Sequence, residues 1–194
     1  YQMVMNIIDM IVPEPVITDI ADVQAADEGL KFTIEGIVTS NASGYDKETA
    51  FFDCIYDQDD TAGINIFPVD GNFQIGQKVR VSGVTASYNG ERELKVSSIS
   101  LVDESINPIK PELVSCKEAM SDEKLGSLLM VKGVVTELHN SSDGALETIM
   151  VKDEDGNEAR IFIDGYIMST YKGLDNIAVG MPISTIGLSS ITVD

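Results

Sequence analysis

The chain has 194 residues, 43% of them hydrophobic, which is enough for one or two ordinary domains with a sizeable core. Its 32 acidic against 13 basic residues give a formal charge of −19, carried by both halves. That balance disfavours nucleic acid and anionic membranes as partners, and no apolar run approaches the ~20 residues of a membrane span.

The first residue is Tyr1, so the sequence reads as a piece of a longer or processed chain. Residues 1–17 begin YQMVMNIIDMI, with apolar residues at 1, 3, 5, 7 and 11. This segment is expected to be the end of an upstream domain or an added strand. A short helical lead-in follows over 18–26. From Phe32 the hydrophobic period becomes two: Phe32, Ile34, Gly36 and Val38 alternate with Thr33, Glu35, Ile37 and Thr39. Further alternating runs, separated by turn signals at 41–45, 57–63, 70–71 and 89–90, predict five strands near 30–40, 49–57, 63–69, 78–87 and 91–102. The alternation slips at Ser97-Ser98, which predicts a bulge. Residues 104–112, ESINPIKPE, hold two prolines in nine and read as a stiff linker. Ser115-Cys-Lys-Glu118 is a capping-box pattern opening one or two helical turns over 115–121. Four more strands are expected near 128–138, 146–153, 158–164 and 182–188.

The second set repeats the first. Gly36-Ile37-Val38-Thr39 returns as Gly133-Val134-Val135-Thr136, and YDQDDTAGINIF at 56–67 aligns with VKDEDGNEARIF at 151–162. IGQKVRVSGV at 75–84 then aligns with VGMPISTIGL at 179–188. Three blocks in the same order imply two copies of one module. The expected organisation is an N-terminal segment over 1–17, a first module over 18–103, the linker 104–112 and a second module over 113–194. The second copy carries a longer insertion at 164–177. It has no counterpart of 91–102, so its fifth strand is missing or is supplied from elsewhere.

Five strands in a short module, the first bent at a glycine, suit a Greek-key barrel. The stretches IADVQAADEGLKFTIEGIVT, DDTAGINIF and IGQKVRVSGV resemble the OB-fold modules found as accessory repeats in secreted bacterial proteins, including some extracellular nucleases. The fold class expected is therefore all-β: two tandem five-stranded OB-fold-like Greek-key barrels with short helical turns. The resemblance implies a bacterial, extracellular or cell-surface setting.

The acidic loop is the one chemically suggestive stretch. Asp57, Asp59 and Asp60 precede Thr61 and Ala62, where a calcium-binding EF-hand loop would need a further ligand and a glycine. In the second copy Asp155-Gly156 is the dipeptide of a tight type I′ hairpin. The aspartates are thus expected as solvated formers of the hairpin turn, with a weak Ca²⁺ site as the alternative. No cofactor is otherwise implied. His139 stands in ELHNSSDG without a neighbouring acid pair, and no nucleophile elbow or phosphate loop occurs. Cys54 and Cys116 lie 62 residues apart without a CxxC motif, so free thiols are expected. These observations point away from an enzyme.

OB folds bind through strands two and three and the loops joining strands 1–2 and 4–5. In the first module that face would use Tyr45, Phe51, Phe67, Tyr88 and Arg92. The functional expectation is a non-catalytic spacer or binding appendage of a larger protein, alongside that protein's other domains, contacting protein or carbohydrate there. A single-stranded nucleic-acid module serving a nuclease domain is the alternative. A calcium-stabilised stalk is the third.

Overall fold

The alternating runs are strands in the computed structural model, which describes residues 13–40, 55–69, 71, 73–163 and 176–191. Helix α1 (Ile20–Ala25) leads into β1 (Lys31–Val38), β2 (Ile55–Gln58), β3 (Gly63–Phe67), β4 (Lys78–Tyr88) and β5 (Glu91–Asp103). These five close into a barrel in the order β1-β2-β3-β5-β4. The β3–β5 pair is parallel and the other four pairs are antiparallel. Period-two alternation turns Ile34, Val38, Ile64, Ile66, Val79, Val81 and Leu94 inward, all at 0% exposure. Ile20 and Val23 of α1 join the same cluster, closing over it. Each such side chain stabilises the fold by about 1.5–3 kcal/mol, before conformational entropy is subtracted.

Two local devices shape the barrel. Asn89 (φ 51°) and Gly90 (φ 89°) are both left-handed, the combination a type I′ turn needs to join β4 to β5. Ser82 pairs with Ser98 and Gly83 with Val96, so Ser97 is extra, at the place where the alternation slips.

The second half contains β6 (Glu112–Leu113), α2 (Cys116–Ala119), a 3₁₀ turn (Asp122–Lys124), β7 (Leu128–Asn140), β8 (Leu146–Lys152), β9 (Glu158–Phe162) and β10 (Pro182–Leu188). The capping box forms: Ser115 Oγ accepts from the Glu118 N–H at 3.1 Å, and Glu118 Oε2 accepts from the Ser115 N–H at 2.9 Å. Glu112, the last residue of the stretch read as linker, opens β6, which pairs in parallel with β7. The strands run β10-β7-β8-β9, the same order of partners as β4-β1-β2-β3. With β6 beside β7 they make a five-stranded sheet, which the described residues do not close into the second barrel that was expected. Its core gathers Val131, Val135, Ile149, Val151 and Ala159 with Cys116, a buried free thiol.

The turn at Asp155-Gly156 is not type I′, because only Gly156 (φ 82°) is left-handed. The Gly156 N–H instead donates to the Asp153 carbonyl, as in a type I turn followed by a left-handed glycine. Residues 1–12, the leading part of the expected second strand (49–54) and residues 164–175 of the insertion lie outside the described residues, as does Cys54.

Candidate functional site

The three aspartates of the acidic loop have different surroundings. Asp59 Oδ1 accepts from the Thr61 N–H (2.7 Å) and the Ala62 N–H (3.0 Å), tying the β2–β3 turn. Its other oxygen accepts from the Ile20 N–H at 2.8 Å and so caps α1 from 39 residues away. Asp153 does the same in the second sheet: it accepts from Asp155 and Asn157 in its own turn and from the Cys116 N–H, at 2.9 Å, at the start of α2. Burial works against the Asp153 charge, yet the N–H groups of Cys116, Asn157 and Asp155 hold its carboxyl below the usual range.

Asp60 is exposed, as a solvated turn former should be. Asp57 is not solvated. It lies fully buried between β1 and β3 with both carboxyl oxygens unpartnered, against Gly36, where a Cβ would come within 2.6 Å of Oδ1. Burial pushes this carboxyl up to about 8; the Gln58 backbone N–H offsets part of the rise without making a hydrogen bond of normal geometry, and the Asp59 charge adds to it. A calcium site built from Asp57, Asp59 and Asp60 is therefore corrected: one carboxyl is inside the barrel and one is committed to N–H groups. Among the described residues no group of three His, Cys, Asp or Glu side chains is placed to hold a metal ion.

The outer face of β2, β3 and β5, where an OB barrel takes ligands, meets the second sheet. Alternation turns Tyr56 and Gln58 outward. Gln58 Oε1 accepts from the Leu128 N–H at 2.8 Å, and the Gly63 N–H donates to Ser127 Oγ at 3.3 Å. Gly63 and Gly126 touch backbone to backbone; a Cβ on Gly63 would lie 2.0 Å from the Gly126 carbonyl oxygen. Glu91, only 5% exposed, accepts from the Tyr56 hydroxyl at 3.0 Å and from Ser190 Oγ at 2.6 Å. From α1, the Gln24 amide donates to the Gly63 and Leu125 carbonyls at 2.7 and 3.2 Å.

Of the residues expected on that face, Tyr45 and Phe51 lie outside the described residues. Phe67 is half-buried on β3, and Tyr88 is exposed at the β4–β5 tip. Arg92 acts as a brace. Its guanidinium donates to the Ala26 carbonyl at 2.6 Å and to the Ala86 carbonyl at 3.2 Å, holding the segment after α1 against β4. It is not a free cation awaiting a ligand. His139 sits on β7 rather than in a loop, with Nε2 2.9 Å from Glu137 Oε2. The residues that organise the face, Glu91, Gln24, Gln58 and Ser190, carried no sequence signal, because their partners are 35 to 134 residues away.

A polar groove of about 530 Å³ remains between α1, the β2–β3 turn, the β4–β5 tip and the 3₁₀ turn. Gln24, Asp60, Arg92, Glu123 and Lys124 stand on its walls. Lys124 is already paired with Glu112 at 2.9 Å. The groove offers hydrogen-bonding amides, hydroxyls and carboxylates to a polar ligand.

The strand order of the closed barrel defines an OB-fold protein, all-β apart from short helices. No family model and no curated protein matches the chain. Among solved structures it is similar to the hypothetical protein ygiW from E. coli, with 16% identity over 46% of this chain and 94% of that one, at a TM-score of 0.36. It is also similar to a replication protein A heterotrimer bound to single-stranded DNA, with 16% identity over 75% of this chain and 42% of that one, at a TM-score of 0.32. No helix among the described residues is long and apolar enough to cross a membrane.

Proposed function

We propose that the chain is a non-catalytic appendage of a larger extracellular or cell-surface bacterial protein, in which two OB modules form one rigid spacer that contacts protein or carbohydrate. The observation that carries this reading is the seating of the second sheet on the outer face of β2, β3 and β5. Glu91, Gln58 and Gly63 are spent there on holding the two halves together. A face used in this way stiffens a spacer and narrows the contact surface to the groove beside it and to Tyr88 at its rim.

The charge of the same face argues against the nucleic-acid alternative. Glu91 and Glu93 lie on it, and Asp59 and Asp60 border it, with Lys95 the one lysine among the described residues of β2, β3 and β5. Phosphates neutralised by Lys and Arg supply most of the affinity of such modules. Titration of a labelled oligo-dT at low salt is expected to show no binding below roughly 100 µM, the weak end of non-specific affinities. Saturable binding tighter than that, weakened by Tyr88→Ala, would overturn the spacer reading and install the nuclease-partner one.

A further inference from the structure

In the barrel, β5 lies between β3 and β4, parallel to the first and antiparallel to the second. Among the described residues, β9 and β10 each pair on one side only, with β8 and β7. No described strand lies in the place between them. Two glycines in the same register make this plain: Gly83 faces Phe32 of β1, and Gly187 faces Leu129 of β7. A Cβ on Gly83 would meet the Lys95 carbonyl oxygen of β5 at 2.3 Å, whereas a Cβ on Gly187 would meet nothing among the described residues within 4 Å. Val79 and Val81 are fully buried beneath β5, but Ile183 and Thr185 at the matching positions of β10 are only half-buried. Ile161 of β9 is likewise only partly covered at the edge of the second core, where its counterpart Ile66 is sealed.

We propose that this place takes residues 1–12 of a second copy of the chain as a strand, parallel to β9 and antiparallel to β10. The segment has the required length and chemistry, twelve residues against the thirteen of β5. Asp9 is its single charge, it has no proline, and Tyr1, Met3, Met5 and Ile7 fall on one side of an extended chain. That side would cover Ile161 and Ile183, as Leu94 covers the first core. Main-chain hydrogen bonds to two unpaired edges would supply the rest, as in strand addition generally.

The donor is another copy because a chain's own segment falls short. Glu14 pairs with Arg80 at 3.4 Å, eight residues up β4 from Tyr88. The second sheet meets the barrel at the opposite, Glu91 end, through Ser190. That path consumes about 26 Å at ~3.3 Å per residue. Twelve extended residues span about 40 Å, leaving roughly four to fill a place flanked by the five residues of β9 and the seven of β10. The inference is independent of the spacer reading.

Sedimentation of the full chain, with hydrogen exchange on the same samples, tests it. The full chain should self-associate with residues 1–12 protected, and a chain lacking them should be monomeric. Gly187→Val should also be monomeric with an unchanged thermal midpoint, because its side chain meets none of the described residues until a strand arrives. A labelled peptide of residues 1–12 should bind the shortened chain and lose at least tenfold in affinity on its Gly187→Val form. A full chain that stays monomeric, with or without protection of residues 1–12, would overturn the proposal. So would association, or peptide binding, that survives Gly187→Val.

Discussion

At Asp57, one side chain sets a pH dependence for the whole barrel. Its carboxyl titrates near 3.8 when unfolded and about 8 when folded, so between these values the folded chain holds a proton that the unfolded chain has lost. Stability from this residue is therefore complete below about pH 4 and is lost progressively as pH rises through about 8. At about 1.4 kcal/mol per unit the loss is at most on the order of 6 kcal/mol. Asp57→Asn keeps the shape and cannot ionise. Urea unfolding should show it a few kcal/mol more stable than the parent at about pH 8 and near parity at about pH 4. Equal gains at both would mean that the buried carboxyl is not what titrates. Asp59 acts in the other direction, by accepting: Asp59→Ala frees the N–H groups of Ile20, Thr61 and Ala62 and is expected to cost about 1–2 kcal/mol. Amide exchange at Ile20 should accelerate with it; a slow Ile20 amide in the variant would show that the cap is not what holds α1.

Strands and turns were legible wherever a local rule governs them. The period of two located the strands, the slip at Ser97 marked a bulge, and Ser115 and Glu118 announced α2. The β4–β5 hairpin is the clearest instance, since both of its turn residues are left-handed. Gly90→Ala forces a Cβ into φ 89° and should destabilise the barrel by about 1 kcal/mol, whereas Gly187→Ala, outside that region, should leave a monomer unaffected. Comparable losses at both sites in thermal unfolding would contradict the backbone argument. The Asp155-Gly156 dipeptide misled for a local reason: Asp153 turns back onto its own hairpin and accepts from Asn157, selecting a type I turn.

Across the whole molecule, the joint between barrel and second sheet rests on two glycines with no room for a side chain. Gly63→Ala would set a methyl 2.0 Å from the Gly126 carbonyl, so the halves must separate or shift. X-ray scattering should then show a more extended particle, while the circular dichroism of the strands persists. An unchanged scattering curve would mean that the hydrogen bonds of Gln58 and Glu91 suffice without close backbone approach. The ligand face suffered most from being read locally. Arg92 looked like a ligand group and the loop aspartates like solvated turn formers because charged residues near turns usually face water, but Ala26 meets Arg92, Ile20 meets Asp59 and Gly36 meets Asp57 in the fold.

Taken alone, the sequence determined the all-β character, the places of most strands and the two sets of landmarks. These follow from side-chain alternation, glycine and capping chemistry, which act over a few residues. Tertiary structure decided the rest: that Asp57 is buried while Asp59 caps a helix, that Arg92 is a brace, and that the second sheet covers the face of the first. Each depends on hydrogen bonds or contacts between residues far apart in the chain, and no local pattern encodes which distant backbone group a carboxylate or glycine will meet.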